Sequence, residues 1–229
     1  MNKLNLFLTN LSISIIAISS FLQPTLATEA QLPQQALSWR NIFRRKPPRE
    51  EDPKVSRPLK GLCLISPDAA SQTRIIWNTK PFFLWKGDIS KIAVGGSGNK
   101  EYLKTQIVTG SQNANYTGKP LEPGKTYRWL IFLSELESDS YTMFVPFKIM
   151  EAPQRNRVSA ELKLLERLQK NRGADAEKIA LTKAKYFTQR GLWSDALQQA
   201  YSVPNPSPEL SQLIKDLPLQ LCKLRDNRR

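Results

Sequence analysis

Acid–base chemistry in this chain would have to come from carboxylates. Asp88, Glu101, Glu122, Glu135, Glu137 and Asp139 are the candidates in its strand-rich stretch, and all six sit where turns or strand edges are expected. A glycosidase needs two carboxyl groups about 5–9 Å apart in a cleft. Spacing along the chain does not show such a pair, and at turns and edges solvated charge is the default reading. The 229 residues include no histidine and two cysteines. Ser-His-Asp triads, Cys-His dyads, His-ligated zinc and an imidazole base are thereby excluded, and a Cys₄ metal site lacks ligands. No catalytic residue, metal site or cofactor is assigned, and the chain reads as non-enzymatic.

Two other patterns invite chemistry and do not carry it. Gly95-Gly-Ser-Gly-Asn-Lys100 is glycine-rich but lacks the phosphate-loop spacing and the helix that should follow, so it reads as a hairpin loop. Asn115-Tyr-Thr117 fits a glycosylation sequon, a three-residue pattern common by chance. Cys63 and Cys222 lie 159 positions apart. They can bridge the start of the folded region to its end in an oxidising compartment, or stay as two buried thiols, and spacing alone does not decide.

The elements that must position these residues begin after an address segment. Lys3 precedes an apolar stretch from Leu4, and Pro24 and Thr25-Leu26-Ala27 end it. A basic start, an apolar core and small residues at the end predict a secretory signal peptide over 1–27, cleaved after Ala27. The other reading is an uncleaved anchor over residues 4–22. Residues 28–59 are broken by Pro33, Pro47, Pro48, Pro53 and Pro58 and read as a basic, extended linker. Inside it Trp39 and Phe43 share a helical face, with Arg40, Arg44, Arg45 and Lys46 around it. The segment reads first as a solvated charge run in an extended arm, since so short a helix is marginal alone, and in the sharper reading as one able to lie on an anionic surface.

From residue 60 the pattern has period two. Seven short runs rich in aromatic and β-branched residues alternate with turn signals between 61 and 149, and Pro146 should mark an edge or a bulge. Trp77, Trp85 and Trp129 fall in strands, where core packing is the main expectation and an outward sugar-stacking platform the sharper one. After Pro153 the period becomes helical. Val158, Leu162, Leu165 and Leu168 form one stripe, Gly173 stops it, Asp175 caps a second helix, and Ser194-Asp195 begin a third. Ala184, Phe187, Gly191, Trp193, Ala196, Leu197 and Pro208 match one tetratricopeptide-like unit, with Lys183 where a large apolar residue is usual. One unit cannot form a solenoid.

The sequence therefore predicts an α+β protein. An immunoglobulin- or fibronectin-like antiparallel β-sandwich fills 60–152, and a small helical hairpin region fills 153–229. Leu121-Glu-Pro-Gly-Lys-Thr-Tyr-Arg-Trp129 and Gly191-Leu-Trp-Ser-Asp-Ala-Leu197 resemble motifs of a cyanobacterial exported family, domain of unknown function 928. The resemblance extends to Cys63 and to Pro81–Trp85, and spans roughly residues 58–217. It implies the fold and export, and brings no catalytic residues. The family tends to carry a second cysteine where Ser134 stands, so the Cys63–Cys222 pairing would replace that family's bridge.

Net charge is +14, from 34 Lys+Arg and 20 Asp+Glu. It divides into +5 over residues 1–60, +3 over 61–150 and +6 over 151–229, so the strand region is nearly balanced. The expected function is an exported, periplasmic or cell-surface interaction protein that binds a protein partner of the envelope through the sandwich loops or the helical hairpin. The alternative is an anionic envelope polymer or membrane surface, reached through the basic linker. The charge permits nucleic acid, but no recognition motif is present. Oligomeric state is not legible.

Overall fold

The computed structural model describes residues 37–44, 61–68, 73–98, 101–133 and 141–226, within one unit spanning 36–229. The expected signal segment with Ala27, most of the expected linker with Arg45 and Lys46, and Ser134, Glu135, Glu137 and Asp139 lie outside the described residues.

Among the described residues eight strands form two sheets followed by C-terminal helices, a mixed α+β architecture. The strands are β1 (Cys63–Ser66), β2 (Arg74–Ile76), β3 (Phe82–Lys86), β4 (Ile89–Gly96), β5 (Tyr102–Ile107), β6 (Asn113–Asn115), β7 (Thr126–Leu133) and β8 (Met143–Ile149). One sheet has the order β1-β3-β6, the other β2-β8-β7-β4-β5. The expectation of a wholly antiparallel sandwich is corrected, because β2 runs parallel to β8. β6 adds an eighth strand. Its sequence, Asn113-Ala-Asn115, has no apolar alternation to announce it, and it pairs through the backbone with Phe82–Leu84.

Alternation along the strands sends Phe83 and Trp85 of β3 and Trp129, Ile131, Val145 and Phe147 of β7 and β8 into a core shared by the two sheets. The Phe83 and Trp129 rings lie 4.9 Å apart and stacked. Phe82 and Leu84 face the other way, into a second core built with the helices. β3 is thus buried on both faces, the usual origin of an unbroken apolar run. Pro146 lies inside β8, but β2 begins pairing only at Phe147, so β8 is an edge at the proline.

The helices are α1 (Trp39–Arg44), α2 (Ala152–Asn171), α3 (Ala176–Gln189), α4 (Trp193–Tyr201) and α5 (Pro208–Asp226). Asp175 caps α3 by accepting from the Lys178 N–H at 2.7 Å. Gly173 and Gly191, both at positive φ, follow the ends of α2 and α3. Lys183 reaches Glu166 of α2 at 2.7 Å instead of filling a core. Hydrogen bonds from Lys170 and then Lys183 hold the Glu166 carboxyl down to about 2. The stripe expected on α2 is shifted: Val158 and Leu162 are buried, whereas Leu168 is 48% exposed.

α5 runs through Pro218 without a break. A helical proline leaves the carbonyl four residues back without its donor. Here that carbonyl belongs to Ile214, and the Tyr201 hydroxyl of α4 donates to it at 3.1 Å. The tertiary contact replaces the missing backbone bond.

Candidate binding surface

The two sheets differ in what covers their outward faces. α4 and α5 pack on β3, sealing Phe82 and Leu84. Among the described residues no helix packs on the outward face of the five-stranded sheet, whereas α4 and α5 pack on β1 and β3. Register places its residues in rows. Phe144, Leu130, Ala93 and Thr105 form one row; Pro146, Arg128 and Gly95 form the next. Phe132, Lys91 and Ile107 form a third. Leu130, Ala93 and Phe132 are a small buried cluster at the centre. Around them Ile75, Tyr102, Leu103, Ile107, Tyr141 and Phe144 are exposed, Ile107 the most at 76%.

Cations of this face lie on its rings. The Lys91 ammonium is 4.3 Å from the Phe132 ring centre, and the Arg128 guanidinium 5.7 Å from that of Phe144. Tyr102 stands edge-on to Phe132 at 6.0 Å, and Tyr141 edge-on to Phe144 at 6.1 Å. Lys148, at the margin, pairs with Glu151 at 2.6 Å. The face is therefore apolar with fixed positive charge, a combination that suits contact.

On the opposite side, a groove of about 580 Å³ runs between the β3–β4 turn and α5. Leu84, Tyr201, Pro218 and Leu219 line it, with Lys86, Asp88 and Lys215 also on its wall. Nearby, Cys63 of β1 and Cys222 of α5 are joined by a disulfide, with a Cα–Cα distance of 6.0 Å. That bond holds the last helix against the first strand.

A third polar constellation is structural. Asp195 is 1% exposed and accepts from the backbone N–H groups of Trp77 and Asn78, each at 2.9 Å. Gln198, one turn on, accepts from the Asn78 side chain and donates to the Lys80 carbonyl and Asn115. Arg155 of α2 donates to the Trp77 carbonyl at 3.0 Å. Burial pushes the Asp195 carboxyl up to about 7, against the two backbone donors and Arg155, which pull it down. The group fastens α4 to the loop after β2.

The expected site residues are placed as follows. Asp88, Glu101 and Glu122 are exposed on separate turns, and Glu122 pairs with Lys125. Among the described residues no cluster of His, Cys, Asp and Glu could hold a metal. Trp85 and Trp129 are fully buried, and Trp77, in the loop just after β2 and not in a strand, packs against Phe187 of α3, its indole donating to Ser159 of α2. None of the three is an outward platform. The anionic-surface reading of Trp39, Arg40, Phe43 and Arg44 is corrected. Trp39 (2% exposed), Ile42 and Phe43 are buried against the helices, and the Trp39 indole donates to Glu177 of α3 at 3.0 Å. Arg40, Asn41 and Arg44 of this helix face solvent.

Sequence reasoning missed the outward sheet face and the Asp195 node. β7 carried a signal for the first: Leu130 and Phe132 are apolar in the opposite phase from Trp129 and Ile131. A strand solvated on one side should alternate instead. Comparison with protein families, with curated proteins and with solved structures finds no match for this chain.

Proposed function

We propose that this chain is an exported, non-enzymatic interaction module of the cell envelope, and that a protein partner docks on the outward face of its five-stranded sheet. One observation carries the reading. The three-stranded sheet is sealed by helices, while the five-stranded sheet keeps Tyr102, Phe144, Ile107 and Ile75 exposed around a buried apolar centre. Apolar sheet surface with aromatic residues and arginine is the composition of contact sites. The two sheets sharing one core support an immunoglobulin- or fibronectin-like sandwich, from which the parallel β2–β8 pair departs. The disulfide supports export, since such bonds persist in oxidising compartments. The motif resemblance to domain of unknown function 928 points the same way.

The test is a crosslinked pull-down from the protein's own envelope fraction, at low and high salt, with Phe144→Glu and Tyr102→Glu beside the parent chain. One protein that survives high salt and is lost with both variants supports the reading. Equal capture by parent and variants sinks it. Recovery of only a salt-labile acidic polymer would favour the polymer reading, for which Lys91 and Arg128 supply charge.

A further inference from the structure

β5 ends the five-stranded sheet, and its free side is open among the described residues. Which backbone groups point outward follows from one bond. The Val108 N–H donates to Ser90, so Val108 turns its groups toward β4. In an antiparallel ladder this alternates residue by residue. Gln106 and Lys104 therefore bond to β4, while Thr105 and Ile107 turn their N–H and C=O groups to the open side.

The side chains of the strand divide by face. Thr105 and Ile107 belong to the outward rows, with Tyr102 beside them opposite Gly95. Lys104 lies on the other face and is exposed. The Gln106 side chain is already engaged, donating to the Asn115 carbonyl and accepting from the Thr117 N–H. An added strand would thus meet β-branched and aromatic side chains on one face and a lysine on the other.

Self-pairing fits this edge poorly. A register shift between Val94 and Gly95 places a bulge at the Tyr102 end of β5. The register centred on residue 104 would set Lys104 against its own copy. A bulge and a central lysine are the features that discourage identical edges from joining. The same lysine is an attraction for a strand carrying a carboxylate opposite it.

We infer that β5 is the site where an extended segment of the partner protein, aliphatic on one face and acidic on the other, adds as a sixth strand. The inference rests on the proposed docking of a protein at this sheet and names the chemistry of that partner. Thr105 and Ile107 supply the backbone hydrogen bonds, Ile107 and Tyr102 the apolar contacts, and Lys104 the charge selection. Strand addition of this kind draws affinity from main-chain bonds and specificity from alternate side chains.

The experiment uses a blocked peptide of about eight alternating Val and Glu residues, the length of an ordinary strand, and its Val-Lys counterpart. Each is titrated against the full chain by heteronuclear NMR. The Glu peptide is expected to bind several-fold more tightly than the Lys peptide, with shifts centred on residues 104–107. Thr105→Pro should abolish binding without unfolding the sheet, because the lost N–H faces outward. Lys104→Glu should reverse the peptide preference, and it serves where the proline variant fails to fold. No binding, equal binding of both peptides, or an unchanged preference in Lys104→Glu overturns the inference. So does a parent chain that dimerises through β5, measured by sedimentation with Thr105→Pro as the control. If Thr105→Pro retains capture of the envelope partner that Phe144→Glu loses, the edge inference fails while the docking reading stands.

Discussion

β3 and β7 are the two most apolar strands of the molecule, and they are treated differently. β3 lies between two cores, with Phe83 and Trp85 against the other sheet and Phe82 and Leu84 against the helices. β7 sends Trp129 and Ile131 inward, but its Leu130 and Phe132 belong to a separate three-residue cluster on the outward face. A run apolar in both phases says that both faces are covered. It does not say by what. On β3 the cover is intramolecular, brought by α4 and α5. On β7 no described helix supplies it, and that asymmetry is the reason to look for a partner there.

The strongest challenge to the comparison is to loosen the helical cover. The disulfide holds α5 to β1 across 159 positions, a loop long enough to constrain the unfolded chain by about 5 kcal/mol in the entropic description. Cys222→Ser should therefore lower stability by several kcal/mol in urea unfolding. Solvent exposure at Leu84 and Tyr201 should rise in hydrogen exchange while the five-stranded sheet stays protected. A Cys222→Ser protein as stable as the parent would mean that α5 is held by packing alone.

A pair of truncations compares the faces directly. Leu84 is 1% exposed within the helical core, and Leu84→Ala should cost about 3 kcal/mol, the range for buried leucine. Phe144 is 46% exposed on the outward face, and Phe144→Ala should change stability by no more than about 0.5 kcal/mol, the usual range for surface substitutions. Its effect belongs to binding instead. Equal losses of stability would show that the outward face is part of the folded core and remove the case for a docking surface.

A smaller effect concerns the seam between α4 and α5. Tyr201→Phe keeps the ring against Phe82, 4.9 Å away, and removes the donor to the Ile214 carbonyl. An acceptor left without its partner costs about 1–2 kcal/mol. The loss should vanish in a Pro218→Ala background, where the backbone N–H returns. A double-mutant cycle by thermal unfolding measures it, and purely additive losses would refute the compensation.

Much of the fold is legible in the sequence because it rests on local signals. Period-two runs mark seven strands, Gly173 and Gly191 mark helix ends, and Asp175 marks a cap. What is not legible depends on distant partners. β6 is a strand only because β3 offers it a backbone ladder. α5 crosses Pro218 only because Tyr201 lies across from it. Trp39 and Phe43 look like the apolar side of a surface helix, and burial against α3 and α5 cannot be read from six residues. The outward face is half legible. The doubled phase of β7 shows in the sequence, whereas the exposure of Phe144, Tyr102 and Ile107 depends on the absence of a covering helix among the described residues. Asp195 reads as a helix-start residue, but Leu192 occupies the cap position and the carboxylate turns to the loop after β2.

The last prediction turns on that carboxylate, because it fastens the helical cover to the sheets and touches nothing on the outward face. Burial raises its folded value to about 7, from an ordinary 3.8. Between these two values the folded chain binds a proton that the unfolded chain does not. Stability contributed by the group is therefore fully present below about pH 4, declines as pH rises toward 7, and is flat above. Asp195→Asn removes the titration and one of two acceptors for the Trp77 and Asn78 N–H groups. The stability difference between parent and variant should then drift against the parent from pH 4 to pH 7, as followed by thermal unfolding. Glu166, held down to about 2, loses its contribution only as pH falls below its ordinary 4.5, so its window lies on the acid side. A difference that stays constant from pH 4 to 8 would mean the two backbone donors fully offset the burial of Asp195. In that case the contact between α4 and the sheet is insensitive to pH, and the contrast between the covered and open faces holds unchanged across that range.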